Sequence, residues 1–205
     1  MIGIRCFVIA GFAIAVAQAP AHGQSDRHAA ARGKSLVTIF DNFAHKYPKG
    51  LYLDLSGANV RGTEGAQLAW WGEPFTPSAN HTVTDVEVAA SSYSGTNAVQ
   101  LGLYNDSGGV PGKALKTWTL KNLPASGQCC VISAGTDAKG IPVEAGKQYW
   151  VVLSTNRKEA STWVIWNAEA ADQVDSSPDA TYDVVYGWIA STVTPQLAFA
   201  VRGTN

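Results

Sequence analysis

From residue 36 onward, short stretches of alternating apolar and polar side chains are separated by segments rich in Gly, Pro, Asn, Asp and Ser. In one of them Val99, Leu101 and Leu103 fall on a single face. A period of two is typical of a strand that buries one face in a core, and no stretch shows a sustained helical period with caps. The pattern predicts about ten strands, at 36–40, 67–75, 82–91, 98–104, 114–120, 129–133, 148–154, 162–167, 182–189 and 196–202.

The segment 82–91 has the same alternation, which assigns each of its residues to one of the two faces of the strand. Thr84, Val86 and Val88 are expected on the core face, with Val83 on the opposite one. About ten strands that each hide one face from water cannot stay as a single flat sheet. We therefore predict an all-β protein, an antiparallel β-sandwich of jelly-roll type.

The first 23 residues differ in composition and residue order from the rest of the chain. Arg5 precedes an apolar run from 6 to 17, and small residues follow up to Gly23. This order is typical of a secretory signal peptide. The alternative, a membrane anchor, needs about 20 apolar residues to span a bilayer. We predict a signal peptide at 1–23, a flexible leader at 24–35 and one domain at 36–205, so that the protein is secreted or periplasmic.

Charge and composition exclude two classes of protein. The chain has 15 Lys and Arg against 16 Asp and Glu, a formal net charge of −1. A nucleic-acid-binding surface needs clustered Lys and Arg, so no nucleic-acid partner is expected. At 46% hydrophobic residues the chain is too apolar to be intrinsically disordered. No membrane span is predicted in the mature chain.

Several motifs occur together in a fixed order. They are FDNF at 40–43, EPFTPSANHTVTDVEVA at 73–89, VQLGLYNDSGGVPGKAL at 99–115, LPASGQCC at 123–130 and IPVEAGKQYWVVL at 141–153. Together they resemble the choice-of-anchor R type of secreted bacterial β-sandwich domain, over most of 36–202. The resemblance implies a surface or secreted module and brings no catalytic activity with it. The chain ends in AVRGTN without a sorting tail, which favours free secretion or periplasmic residence.

Seven tryptophans are an unusual number for a chain of this length. Core and sheet packing accounts for most of them, because Trp suits strands and buries a large area. Adjacent Trp70 and Trp71 must point to opposite faces of an extended strand, and so must Trp163 and Trp166. We take Trp71 and Trp163 as candidates for an exposed ring that stacks on a sugar.

Cys129 and Cys130 are adjacent, and three states of the pair stay open. Their Cα atoms are about 3.8 Å apart across a trans peptide, below the roughly 4.4–6.8 Å of an ordinary disulfide. A vicinal disulfide is therefore possible only with strain. One buried and one exposed thiol fit the strand alternation, and intermolecular pairing or metal binding is the third possibility.

Few residues in the chain suggest catalysis or metal binding. Asp106, in YNDSGGVPG, could offer oxygens to calcium, but the repeated acidic spacing of an EF-hand loop is missing and a hairpin turn is favoured. There is no G-x-S-x-G nucleophile motif. We expect no cofactor, no metal and no enzymatic activity.

These observations favour an exported, non-catalytic binding or surface-interaction module. The expected partner is a glycan or another cell-envelope polymer, held by an exposed Trp and by polar loop side chains. One alternative is a structural accessory domain that contacts another envelope protein. A less favoured alternative is a glycoside hydrolase with two catalytic carboxylates.

Overall fold

A computed structural model describes residues 35–43, 52–63, 68–127, 131–137, 139–156, 160–169, 179–191 and 196–205. Every regular element in these ranges is a strand. The strands are β1 Leu36–Asp41, β2 Tyr52–Arg61, β3 Trp70–Phe75, β4 His81–Val88, β5 Ala90–Ser94, β6 Ala98–Asp106, β7 Pro111–Lys121, β8 Ile132–Gly135, β9 Ile141–Val143, β10 Tyr149–Ser154, β11 Trp163–Glu169, β12 Asp179–Asp183, β13 Gly187–Ser191 and β14 Phe199–Thr204. Among the residues described, no helix has the length and apolar character to cross a membrane.

The strands form three antiparallel sheets. The five-stranded sheet has the order β1–β14–β4–β8, and β9 also pairs with β4. The six-stranded sheet has the order β13–β12–β3–β10–β6–β7, and the three-stranded sheet the order β2–β11–β5. Most strands that are neighbours in a sheet are far apart in the sequence.

One hydrophobic core joins the three sheets. It includes Val86 and Val201 from the five-stranded sheet, Leu101 and Val151 from the six-stranded sheet, and Trp166 from the three-stranded sheet, all of them fully buried. The predicted alternation of β6 is correct, because Val99, Leu101 and Leu103 all belong to this core. The predicted antiparallel β-sandwich is confirmed.

The predicted phase of β4 is wrong at its start. Val83 is fully buried in the same core as Val86 and Val88, whereas Thr84 is only partly buried. Along β14 the partner of Arg202 is Asp85, but the partner of Gly203 is Val83, so Thr84 is skipped. The extra residue is a β-bulge, and a bulge reverses the alternation of side chains on either side of it.

The predicted strand 182–189 is in fact a hairpin of β12 and β13. The turn lies at 184–186, where the Asp183 Oδ1 atom accepts hydrogen bonds from the backbone N–H groups of Val185 at 2.7 Å and Tyr186 at 3.0 Å. Gly187 follows with a φ of +78°, which glycine adopts without steric cost. The β-branched and aromatic residues of the turn look like a strand in sequence, but Asp183 and Gly187 impose the reversal.

The described ranges contain fourteen strands, against about ten expected. The predicted strand 82–91 is divided into β4 and β5, and β2 and β9 had no predicted counterpart. The predicted signal peptide 1–23, most of the leader 24–35, and Cys129 and Cys130 lie outside the described residues.

Candidate functional site

The outer surface of the three-stranded sheet carries a cluster of aromatic and polar side chains. In β11 the fully buried Val164 and Trp166 face the core, so Trp163 points outward. Asn59 and Arg61 of β2 lie beside it, and Tyr93 of β5 completes the cluster. We call Asn59, Arg61, Tyr93 and Trp163 the aromatic face.

Trp163 is held by three neighbours within the aromatic face. Its Nε1 atom donates a hydrogen bond to the Asn59 Oδ1 atom at 2.8 Å. The Arg61 guanidinium carbon lies 3.7 Å from the ring centroid, a cation–π contact. The Tyr93 ring centroid lies 4.4 Å away, with the planes at 41°. These contacts leave Trp163 only partly exposed, and Tyr93, 56% exposed, is the ring of this cluster that is open to solvent.

Trp71, the other candidate, meets the same asparagine from a different strand. Its Nε1 atom donates to the backbone carbonyl of Asn59 at 2.9 Å. The ring is partly buried and packs against the main core. The structure thus brings Trp71 and Trp163 together at Asn59, but it gives Trp71 a packing role at the margin of the aromatic face.

The other five tryptophans pack inside the sandwich or against it. Trp150 and Trp166 are fully buried. Trp70 stacks on Tyr182 with ring centroids 4.5 Å apart, and Trp188 meets Tyr182 edge-on at 5.4 Å. Within the described part of the chain, the exposed aromatic side chains are two tyrosines, Tyr93 and Tyr186. The sequence-based candidates were tryptophans and included neither tyrosine, although Tyr186 lies in the predicted strand 182–189.

Asp106, the candidate calcium ligand, is a structural carboxylate. Its Oδ1 atom accepts hydrogen bonds from Trp150 Nε1 at 2.8 Å and Gln148 Nε2 at 3.1 Å, and its Oδ2 atom accepts one from the N–H of Gly109 at 3.2 Å. These three donors use most of the about four lone-pair positions of the carboxylate. In the ranges that the structure describes, no three His, Cys, Asp or Glu side chains are grouped to hold a metal ion.

A cavity of about 470 Å³ lies beside Asp106. Asn105, Gln148 and Tyr149 are among the residues that line it. Tyr149 begins β10, whereas Trp71 pairs with Leu153 near the other end of that strand. The polar loop side chains and the aromatic side chains, expected to form one site, are therefore separated along β10.

Among the residues that the structure describes, three carboxylic acids are buried: Glu73 at 2%, Asp179 at 3% and Glu169 at 6% exposure. Glu73 Oε1 accepts a hydrogen bond from the N–H of Leu197 at 3.1 Å. Burial raises the pKa of Asp179 above its ordinary value, and a hydrogen bond with Ser191 opposes that rise. A two-carboxylate hydrolase needs both acids open to substrate and water, so these buried side chains do not favour that alternative.

Comparisons with protein-family models, with curated proteins and with solved structures find no match to this chain. Its function is therefore inferred from its own residues. Among them, the aromatic face combines one open ring, one fixed indole and the polar groups of Asn59 and Arg61 on the surface of the three-stranded sheet.

Proposed function

We propose that this chain is an exported, non-catalytic module that binds a glycan or a related envelope polymer on the aromatic face. The observation that carries the proposal is the Tyr93 ring, 56% exposed and backed by Trp163 at 4.4 Å. A flat ring matches the C–H face of a pyranose, as aromatic faces match other flat apolar surfaces. Asn59 and Arg61 lie close enough to Trp163 to hydrogen-bond hydroxyl groups at the edge of such a sugar.

Rigidity of the aromatic face supports the same proposal. The hydrogen bond from Trp163 to Asn59 and the Arg61 contact restrict the indole, which in turn supports the Tyr93 ring. A ring that is already ordered loses little conformational entropy when a ligand arrives. Tyr93 and Asn59 are exposed on the outer surface of a sheet, a position that suits one face of an extended polymer better than an enclosed small molecule.

Export belongs to the same proposal. It is supported by the order of charged, apolar and small residues in 1–23, which is that of a signal peptide. An envelope polymer is the ligand class that such a module would meet outside the cytoplasm.

The test is a glycan array with the purified chain, followed by titration of soluble oligosaccharide hits monitored by tryptophan fluorescence. Tyr93→Ala should weaken binding by about fivefold, since an aromatic contact contributes on the order of 1 kcal/mol. Tyr186→Ala is the matched control, because Tyr186 is 80% exposed in the turn of the β12–β13 hairpin, which belongs to the six-stranded sheet. The proposal fails if no glycan binds, or if both substitutions weaken binding equally.

A further inference from the structure

The cavity beside Asp106 is lined by residues of two different sheets. Asn105 and Tyr149, which are register partners, line it from the six-stranded sheet, and Pro142 of β9 lines it from the five-stranded sheet. Leu115 of β7, 39% exposed, adds an apolar side chain. At about 470 Å³ the cavity falls within the roughly 300–1,000 Å³ that small-molecule sites occupy. It is therefore large enough for a small ligand, and no residue of the aromatic face lines it.

Hydrogen bonds fix the polar side chains of the cavity. The Asn105 Oδ1 atom accepts one from a backbone N–H group of β7 at 2.6 Å. Gln148 Nε2 donates one to the Asp106 carboxylate at 3.1 Å. The Tyr149 hydroxyl accepts one from the backbone N–H of Glu144 at 3.0 Å. Side chains that are already ordered lose little conformational entropy when a ligand binds.

The charged groups of the cavity favour an uncharged ligand. The lining holds two carboxylates, Asp106 and Glu144, and one ammonium group, Lys147. Asp106 accepts three hydrogen bonds from the chain itself, and Glu144 pairs with Lys147 at 2.8 Å. An anion would meet a lining of net negative charge, and a cation would meet carboxylates that already have partners.

Two neutral amides of the lining keep hydrogen-bonding capacity for such a ligand. The amide N–H groups of Asn105 and the side-chain carbonyl oxygen of Gln148 have no partner among the described residues. The cavity thus offers donors and an acceptor next to the apolar side chains of Leu115 and Pro142. A sugar matches this combination, because each hydroxyl group both donates and accepts and the C–H groups of the ring are apolar.

We propose that this cavity is a second binding site, which takes one or two units of an uncharged sugar. The proposal uses no residue of the aromatic face and stands independently of it. A peptide also carries neutral donors and acceptors, but a peptide that adds to a sheet pairs with unpaired backbone groups along an edge. Asn105, near the end of β6, and Gln148, just before β10, offer side chains at strand ends instead.

The test is nuclear magnetic resonance of the isotope-labelled chain, with the side-chain amide signals of Asn105 and Gln148 as the readout. The probes are the methyl glycosides of glucose, galactose and mannose, N-acetylglucosamine, cellobiose, maltose and lactose. We expect at least one probe to shift both signals saturably. Asn105→Asp keeps the acceptor oxygen and removes the amide N–H groups. Followed at Gln148, it should raise the dissociation constant about fivefold, the effect of one neutral hydrogen bond. If it alters the near-ultraviolet circular dichroism, Leu115→Ala replaces it and should weaken binding severalfold through lost apolar contact.

Asn122→Asp is the matched control. Asn122 is exposed and follows β7 at the end of the β6–β7 pair opposite to Asn105, so this substitution should leave the dissociation constant unchanged. The constant should also be independent of salt concentration, because an uncharged ligand has no charge to screen. The proposal is overturned if no probe shifts the two amide signals, if both asparagine substitutions weaken binding equally, or if binding depends on salt. Shifts confined to the indole N–H of Trp163 would refute the cavity site and leave the aromatic face standing.

Discussion

The indole N–H of Trp150 donates a 2.8 Å hydrogen bond to the Asp106 carboxylate. Trp150 is fully buried on β10, and Asp106 is the last residue of β6. The same carboxylate also binds the N–H of Gly109 in the turn that follows β6. One aspartate therefore connects a hairpin turn to a buried indole.

Asp106→Ala should lower the free energy of unfolding by about 2–3 kcal/mol, because it leaves a buried indole N–H without its acceptor. Urea denaturation followed by tryptophan fluorescence measures the loss. Trp150→Phe is a useful comparison, since it removes the donor and leaves Asp106 bonded to Gln148 and Gly109. Calcium and EDTA should give the same thermal midpoint, and a calcium-dependent rise would contradict this account of Asp106.

Arg202 links three strands on the outer surface of the five-stranded sheet. Its Nη2 atom lies 2.8 Å from Asp41 of β1 and 3.1 Å from Glu87 of β4, and its Nη1 atom donates to Thr38. The two carboxylates raise the pKa of Arg202, against an opposing effect of burial that is the largest single contribution. Arg202→Ala should cost about 1–2 kcal/mol of stability, because two partly buried carboxylates lose their partner.

Lys147→Ala serves as the control for Arg202. Lys147 pairs with Glu144 at 2.8 Å, but both side chains are 62% exposed. Exposed pairs of this kind contribute roughly 0–1 kcal/mol, so this substitution should have the smaller effect. Equal losses for the two variants would show that the three-strand network adds nothing to an ordinary surface pair.

Asp179 should make stability depend on pH. Burial raises its folded-state pKa, so the native state favours the protonated acid. The stabilisation is complete below the unfolded-state pKa and is lost as pH rises through the raised folded-state value. Asp179→Asn should therefore be more stable than the parent near neutral pH, with the difference shrinking towards acid. The measurement is the urea midpoint of unfolding of each variant, from neutral to acidic pH. Asp137→Asn is the control, because Asp137 is exposed. A difference that does not vary with pH would refute the effect.

Gly57 is required where β2 bulges against β11. Its φ is +148°, and an added Cβ would collide with the backbone oxygen of Trp166. Since the register between β11 and β2 shifts next to Gly57, β2 cannot move aside without breaking its pairing. Gly57→Ala should cost more than about 2 kcal/mol and disturb the nearby Asn59. Gly146→Ala, also at positive φ but with open space around it, isolates the contribution of backbone strain. If Gly57→Ala and Gly146→Ala lower the free energy of unfolding equally, the close approach of Gly57 to β11 does not contribute to the cost.

The local pattern of the chain was sufficient for the fold class. Val99, Leu101 and Leu103 alternate with polar neighbours, and this period is a property of adjacent residues that needs no distant partner. The same local rule failed at Val83 and at the β12–β13 turn. At Val83 the bulge is defined by the pairing of β4 with β14, which lies far along the chain. At the turn, a side-chain hydrogen bond of Asp183 overrides strand propensity.

The sequence by itself determined that this chain forms stacked antiparallel sheets, because alternation is encoded residue by residue. It also determined that many aromatic side chains would lie on those sheets. Only the tertiary structure decided which rings water can reach. Arg61 and Asn59 contact Trp163, which is distant in sequence, and leave Tyr93 as the open ring. Exposure depends on what packs against a side chain from elsewhere in the chain, and that information is present only after folding.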